Sequence, residues 1–247
     1  MYSILLRGTA IVFQIIMSVV LTFSFIAYSS LKKIKFVKSF FLGILAYILK
    51  FIFIVCVFYS LMEKILDSMN LSGEQFLATN KLFFILYLFI NSIYMVLVRV
   101  LVFKFFFKKN RICFYDAVSF AVGFCTLYNF MNCTYFCLKN FSLLLNIRAR
   151  TIFIFSFDNL FSILTDVGFC VLILYLLQRK SRLKYLFLFF VAVFDTITML
   201  ISTILLKNLK WYYNNAYLAI LAFIYFFVTL ILKDHIKNRR QNVNLPE

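Results

Sequence analysis

The sequence has little that bends or breaks a chain. One proline and five glycines in 247 residues are too few for a loop-rich soluble domain. Acidic side chains are scarce too: nine Asp and Glu stand against 26 Lys and Arg, a formal net charge of +17. Histidine occurs once, as His235, near the C-terminal end. No His-x-x-x-His or Glu-x-x-His pair can therefore be drawn, which removes the usual nitrogen-rich zinc sites; no metal and no cofactor is expected. Strict alternation of apolar and polar residues is also missing, and with it the signature of a membrane β-barrel.

What the chain does have is long apolar runs. It is 64% hydrophobic and 14% charged, with a mean hydropathy of +0.97. Seven runs can be drawn, at about 9–29, 39–61, 82–103, 112–131, 156–178, 185–206 and 212–232. Each is long enough to be a transmembrane candidate. The expected fold class is all-α: a polytopic transmembrane helix bundle forming one domain over residues 1–247, with a short basic tail at 233–247. The basic residues punctuate the runs instead of gathering into a patch, so the expected partner is the lipid bilayer and not nucleic acid. The segments after runs one, three and five, together with the tail, hold sixteen Lys and Arg, against eight on the other side. That bias predicts an outer N-terminus and a cytoplasmic C-terminus. Trp211, Tyr212 and Tyr213 open run seven on the outer side, as an aromatic belt would place them.

Smaller features fit the same picture. The excess of Phe, Ile, Lys, Asn and Tyr is what a low-GC bacterial genome yields, so the 35 phenylalanines do not by themselves imply an aromatic binding surface. The expected location is then the cytoplasmic membrane of a bacterium. Most of the six cysteines fall in apolar runs, where cysteine behaves as a small hydrophobe. Cys133 and Cys137 form a C-x3-C pair that nothing nearby completes into a metal site. The first run has no small-residue cleavage pattern, so it reads as a span and not as a cleaved leader. The segment 132–155 is amphipathic enough to predict an interfacial helix.

Three charges interrupt the runs at their centres. Lys50 lies 12 positions after Lys38, Asp166 13 before Arg179 and Asp195 11 after Lys184. At the rise of an α-helix, each is roughly 16–20 Å from its cytoplasmic anchor. Three helices thus bring one charge each to a common layer. Charges at this depth are costly, and they are usually paired or functional. Arg99 is shallower, five positions before Lys104, where snorkelling and pairing are both open to it. The four residues predict a formally neutral cluster, with Lys50 and Arg99 against Asp166 and Asp195.

Arg99 is followed by VLVFKFFFKK and then by DAVSFAVGF, which ends in Gly123 and Phe124; Gly43 sits in FFLGILAY. In this framing the chain resembles the YhfC family of predicted intramembrane metalloproteases, relatives of the CPBP and PrsW groups, from run two to run six. In that family a Glu-Glu-x-x-Arg helix precedes a Gly-His-Gly-Gly-x-Glu helix, and later helices each add a histidine. The resemblance implies a helical membrane fold around a metal centre, but here the ligands are gone. The two glutamates fall at Met95 and Val96. The motif histidine falls at Phe124, its two following glycines at Cys125 and Thr126, and its glutamate at Tyr128. The later histidines fall at Asp166 and Val191, with Asp195 retained four positions on. The former metal layer is therefore Phe124, Tyr128 and Val191 with the two aspartates, and a lysine ammonium, that of Lys50, is expected to replace the metal's positive charge.

Three functions follow as expectations. The first is a catalytically inactive relative, a pseudoprotease, that binds a membrane protein, peptide or lipid. The second is an active intramembrane hydrolase with a carboxylate-based site, although the Tyr-Asp and Gly-x-Gly-Asp motifs of aspartyl intramembrane proteases are absent. The third is a transporter or transporter subunit with Lys50, Asp166 and Asp195 as a relay; neither an internal repeat nor paired broken helices support it.

Overall fold

The computed structural model describes residues 37–54, 81–106, 114–139, 149–179, 181–208 and 211–243, together with Val12, Ile16, Thr22, Ser24, Ala27, Cys56 and Ser60. Six helices make up these segments: α1 Val37–Phe53, α2 Lys81–Phe106, α3 Phe114–Lys139, α4 Ala149–Gln178, α5 Lys184–Asn208 and α6 Trp211–Val243. Among the described residues there is no strand. Four helices are long and apolar enough to cross a membrane, through Phe84–Phe105, Leu160–Gln178, Lys184–Leu205 and Tyr213–Lys233. The first expected span, 9–29, is described at only five positions, and the polar segment 62–80 lies outside the described residues.

Large apolar side chains face outward on these helices, such as Phe187, Phe190 and Phe194 on α5 and Phe223, Phe226 and Phe227 on α6. A bilayer is the solvent that such a surface suits, because lipid tails are as apolar as the side chains themselves. Inside, the core draws on α1 to α6 and centres on α3, where Ala117, Phe120, Ala121, Val122, Phe124 and Cys125 are buried. This position explains why α3 is not among the four apolar crossings. A helix enclosed by other helices is not selected for greasiness all round, and α3 carries Ser119, Thr126 and Asn129 at little cost.

Helix α1 packs along α3 in parallel. Ser39 near the start of α1 donates to Asp116 Oδ1 in the first turn of α3 at 2.7 Å. Further along, the Tyr47 ring meets the edges of Phe124 and Tyr128 at 5.4 and 5.9 Å. Between these contacts the two backbones touch. A Cβ on Gly43 would run into the Phe120 carbonyl, and one on Gly123 would run into the Phe40 carbonyl. Small residues are what let helices approach so closely. On the other side of α3, α4 packs against α6, with Gly168 pressed against Tyr225.

Helix α3 continues through 132–139 and α4 opens at Ala149; the rest of the segment expected as an interfacial helix, 140–148, lies outside the described residues. Neither 132–139 nor 149–155 contains glycine or proline, so nothing stops the transmembrane helices from running on. Helix α6 carries the basic segment from Lys233 as far as Val243.

Candidate functional site

At the centre of the bundle, α2 turns Arg99 inward. The residue is 1% exposed, the largest fully buried side chain among the described residues. Its Nη2 donates to Asp166 Oδ1 of α4 in a salt bridge. The guanidinium carbon lies 4.9 Å from the ring centroid of Phe124 on α3 and 4.9 Å from that of Phe169 on α4. Phe169 is one helical turn beyond Asp166, so a single face of α4 supplies both the carboxylate and one of the rings. One cation thus ties three helices together. Electrostatic attraction to the ring faces adds to the ion pair, and both are strengthened by burial.

The pair is engaged through one N–H and one oxygen. Arg99 Nε and Asp166 Oδ2 are buried without a hydrogen-bond partner among the described residues. Two thiols face this pair: Cys125 of α3 toward Asp166, and Cys170 of α4 toward Arg99. Both cysteines are buried and neither is in a disulfide.

Lys50 takes a different position. Its Nζ sits 5.9 Å from the Phe124 centroid and 5.7 Å from that of Tyr128. Among the described residues it makes no salt bridge. Asp195 of α5 is within the field of Lys50, Arg99 and Asp166, but its carboxyl faces Ser92 of α2. Val191, one turn before Asp195, is partly buried and packs on the core.

The four charges therefore lie near one another, with Phe124 common to both cations. The cation seated on Asp166 is Arg99, not Lys50. Arg99 does not snorkel, and helix geometry gives the reason. Helical side chains lean toward the N-terminus of their helix. On α2 that direction leads away from the Lys104 end of the helix.

Sequence reasoning did not single out Phe169, Ser92 or the facing thiols as parts of the site. A turn-spacing search around Asp166 would have found Phe169 and Cys170, at i+3 and i+4.

No family model, curated protein or solved structure matches the chain.

A guanidinium remains protonated in proteins and cannot serve as an acid or base. That of Arg99 holds Asp166 through Oδ1 as an acceptor.

Proposed function

We propose that this is a seven-span protein of a bacterial cytoplasmic membrane, with its N-terminus outside, that acts by holding a membrane partner and not by hydrolysis. It is then a non-catalytic offshoot of the YhfC-like proteases, a pseudoprotease. One observation carries this reading: Phe124 and Asp166, the positions where the resemblance would put metal-binding histidines, are both engaged by the Arg99 guanidinium, one through its ring at 4.9 Å and the other in a salt bridge. A fixed cation supplies the positive charge without an exchangeable coordination position, which a hydrolytic metal must keep open.

Metal analysis of the purified protein, together with a cleavage assay on membrane peptides, tests this reading. The expected outcome is no stoichiometric metal and no cleavage. One equivalent of metal that disappears in Asp166→Asn would overturn it and restore the hydrolase. A relay of protons or ions is the second reading, favoured by Asp195, whose carboxyl is not in a salt bridge among the described residues. Flux in proteoliposomes that vanishes in Asp195→Asn would establish it.

A further inference from the structure

Two lysines from different helices meet at one tyrosine on the rim of the bundle. Lys104 stands in the last turn of α2, and its Nζ donates to the Tyr185 hydroxyl of α5 at 3.3 Å. The same Nζ lies 5.2 Å from the Tyr185 ring centroid, and that of Lys184 lies 5.3 Å from it. The ring attracts both ammoniums but cancels neither charge. Neither lysine is in a salt bridge among the described residues. The neighbouring chain offers no acid either: there is no Asp or Glu from Val100 to Tyr115 or from Val167 to Phe194. Lys184 also opens α5, whose first turn holds no acid. A helix N-terminus carries partial positive charge, so a cation there has the wrong sign for its position. Orientation by charge asks for basic residues at this end of the bundle, but not for two of them on one ring.

The level of the two lysines and their surroundings select the anion. Lys104 lies at the end of one apolar crossing, Phe84–Phe105, and Lys184 at the start of another, Lys184–Leu205. Lipid phosphates lie at that boundary. Tyr185 is 53% exposed. One turn deeper, Leu101 on the Lys104 face of α2 and Phe189 on the Tyr185 face of α5 are exposed as well. A cationic rim above apolar side chains matches an amphiphile, headgroup over acyl chain. A free anion would use the rim alone.

We propose that Lys104 and Lys184, set around Tyr185, hold the phosphodiester of an anionic phospholipid at the seam of α2 and α5. Tyr185 is the positioning residue: it brings two like charges to one place, and the phosphate offsets their repulsion. An anionic lipid fits better than a zwitterionic one, whose headgroup brings a cation of its own. The site is at the rim, apart from Arg99 and Asp166, so it stands or falls independently of whether the central layer is catalytic.

The test uses delipidated full-length protein in a non-ionic detergent, titrated with phosphatidylglycerol and, separately, with phosphatidylcholine. Native mass spectrometry counts the bound lipid. At about fivefold per lysine, the first phosphatidylglycerol should bind about twentyfold more tightly than phosphatidylcholine. Lys104→Gln and Lys184→Gln should each cut that preference about fivefold, and Lys104→Arg should keep it. Tyr185→Leu alters no charge and should still lower it severalfold. Arg179→Gln should leave it nearly intact, because Arg179 is engaged with Tyr175 on its own helix at the same end of the bundle. Equal affinity of the wild type for the two lipids overturns the proposal. So does a preference that falls as far in Arg179→Gln as in Lys104→Gln, or that survives Tyr185→Leu unchanged, since either marks a diffuse basic surface. Displacement of phosphatidylglycerol by inorganic phosphate would assign the site to a free anion, and overturns the lipid reading too.

Discussion

Arg99 and Lys50 are both cations in apolar runs, yet they carry opposite expectations for stability. Arg99→Met would leave Asp166 buried without its counter-charge, a loss of about 3–5 kcal/mol. Replacing both partners, as in Arg99→Met with Asp166→Leu, should recover most of that loss, because a well-packed apolar pair of similar volume is often as stable as a buried ion pair. Thermal unfolding in detergent reads the difference; a double variant as unstable as the single one would contradict the pairing. Lys50→Met gives up only the ring contacts and also removes a desolvated charge, so its midpoint should shift less than that of Arg99→Met. A larger shift would mean that Lys50 holds a carboxylate within the fold. Helix rise converts residue counts into depth, so the sequence could assign the charges to a layer. It could not assign the pairs. Counting follows Cα positions, whereas pairing depends on which way each side chain leans and on which face of its helix it stands.

At the scale of elements, the contact of α1 with α3 depends on two glycines that substitute poorly despite being helical. In an ordinary helix, Gly→Ala gains about 1 kcal/mol of propensity. At Gly43 or Gly123 the added methyl would meet a main-chain carbonyl that cannot rotate away, so overpacking of about 1–3 kcal/mol should win. Both variants should lower the unfolding midpoint, and the double variant should cost less than the sum, since one separation of the helices relieves both clashes. Strict additivity would show that the two glycines do not share a crossing. Both glycines were visible in the sequence as matches to a family pattern. Their facing each other was not, because they lie on helices separated by a third. The runs located the apolar crossings of α2, α4, α5 and α6 within a few residues. The helices α3, α4 and α6 extend beyond their runs, because hydropathy falls at the membrane boundary while the helix continues.

For the molecule as a whole, the charge bias predicts that the α4–α5 turn faces the cytoplasm and the start of α6 faces outward. Ser181→Cys and Tyr213→Cys, both at exposed positions, report on the two sides. A membrane-impermeant maleimide on intact cells should label Tyr213→Cys above the background of the unsubstituted protein and leave Ser181→Cys unlabelled until the cells are opened. The opposite pattern would invert the topology. The salt bridge at the centre also bears on how the chain is made. Arg99 and Asp166 are 67 residues apart. At about 5–20 residues per second of translation, α2 reaches the bilayer several seconds before its carboxylate is synthesised. During that interval its arginine is a penalty of about 2.5–3.5 kcal/mol against leaving the insertion machinery. The newborn α2 should therefore linger at the translocon until α4 arrives, and a chain truncated before residue 149 should remain cross-linkable to the insertase through α2, whereas the same truncation bearing Arg99→Leu should escape into lipid.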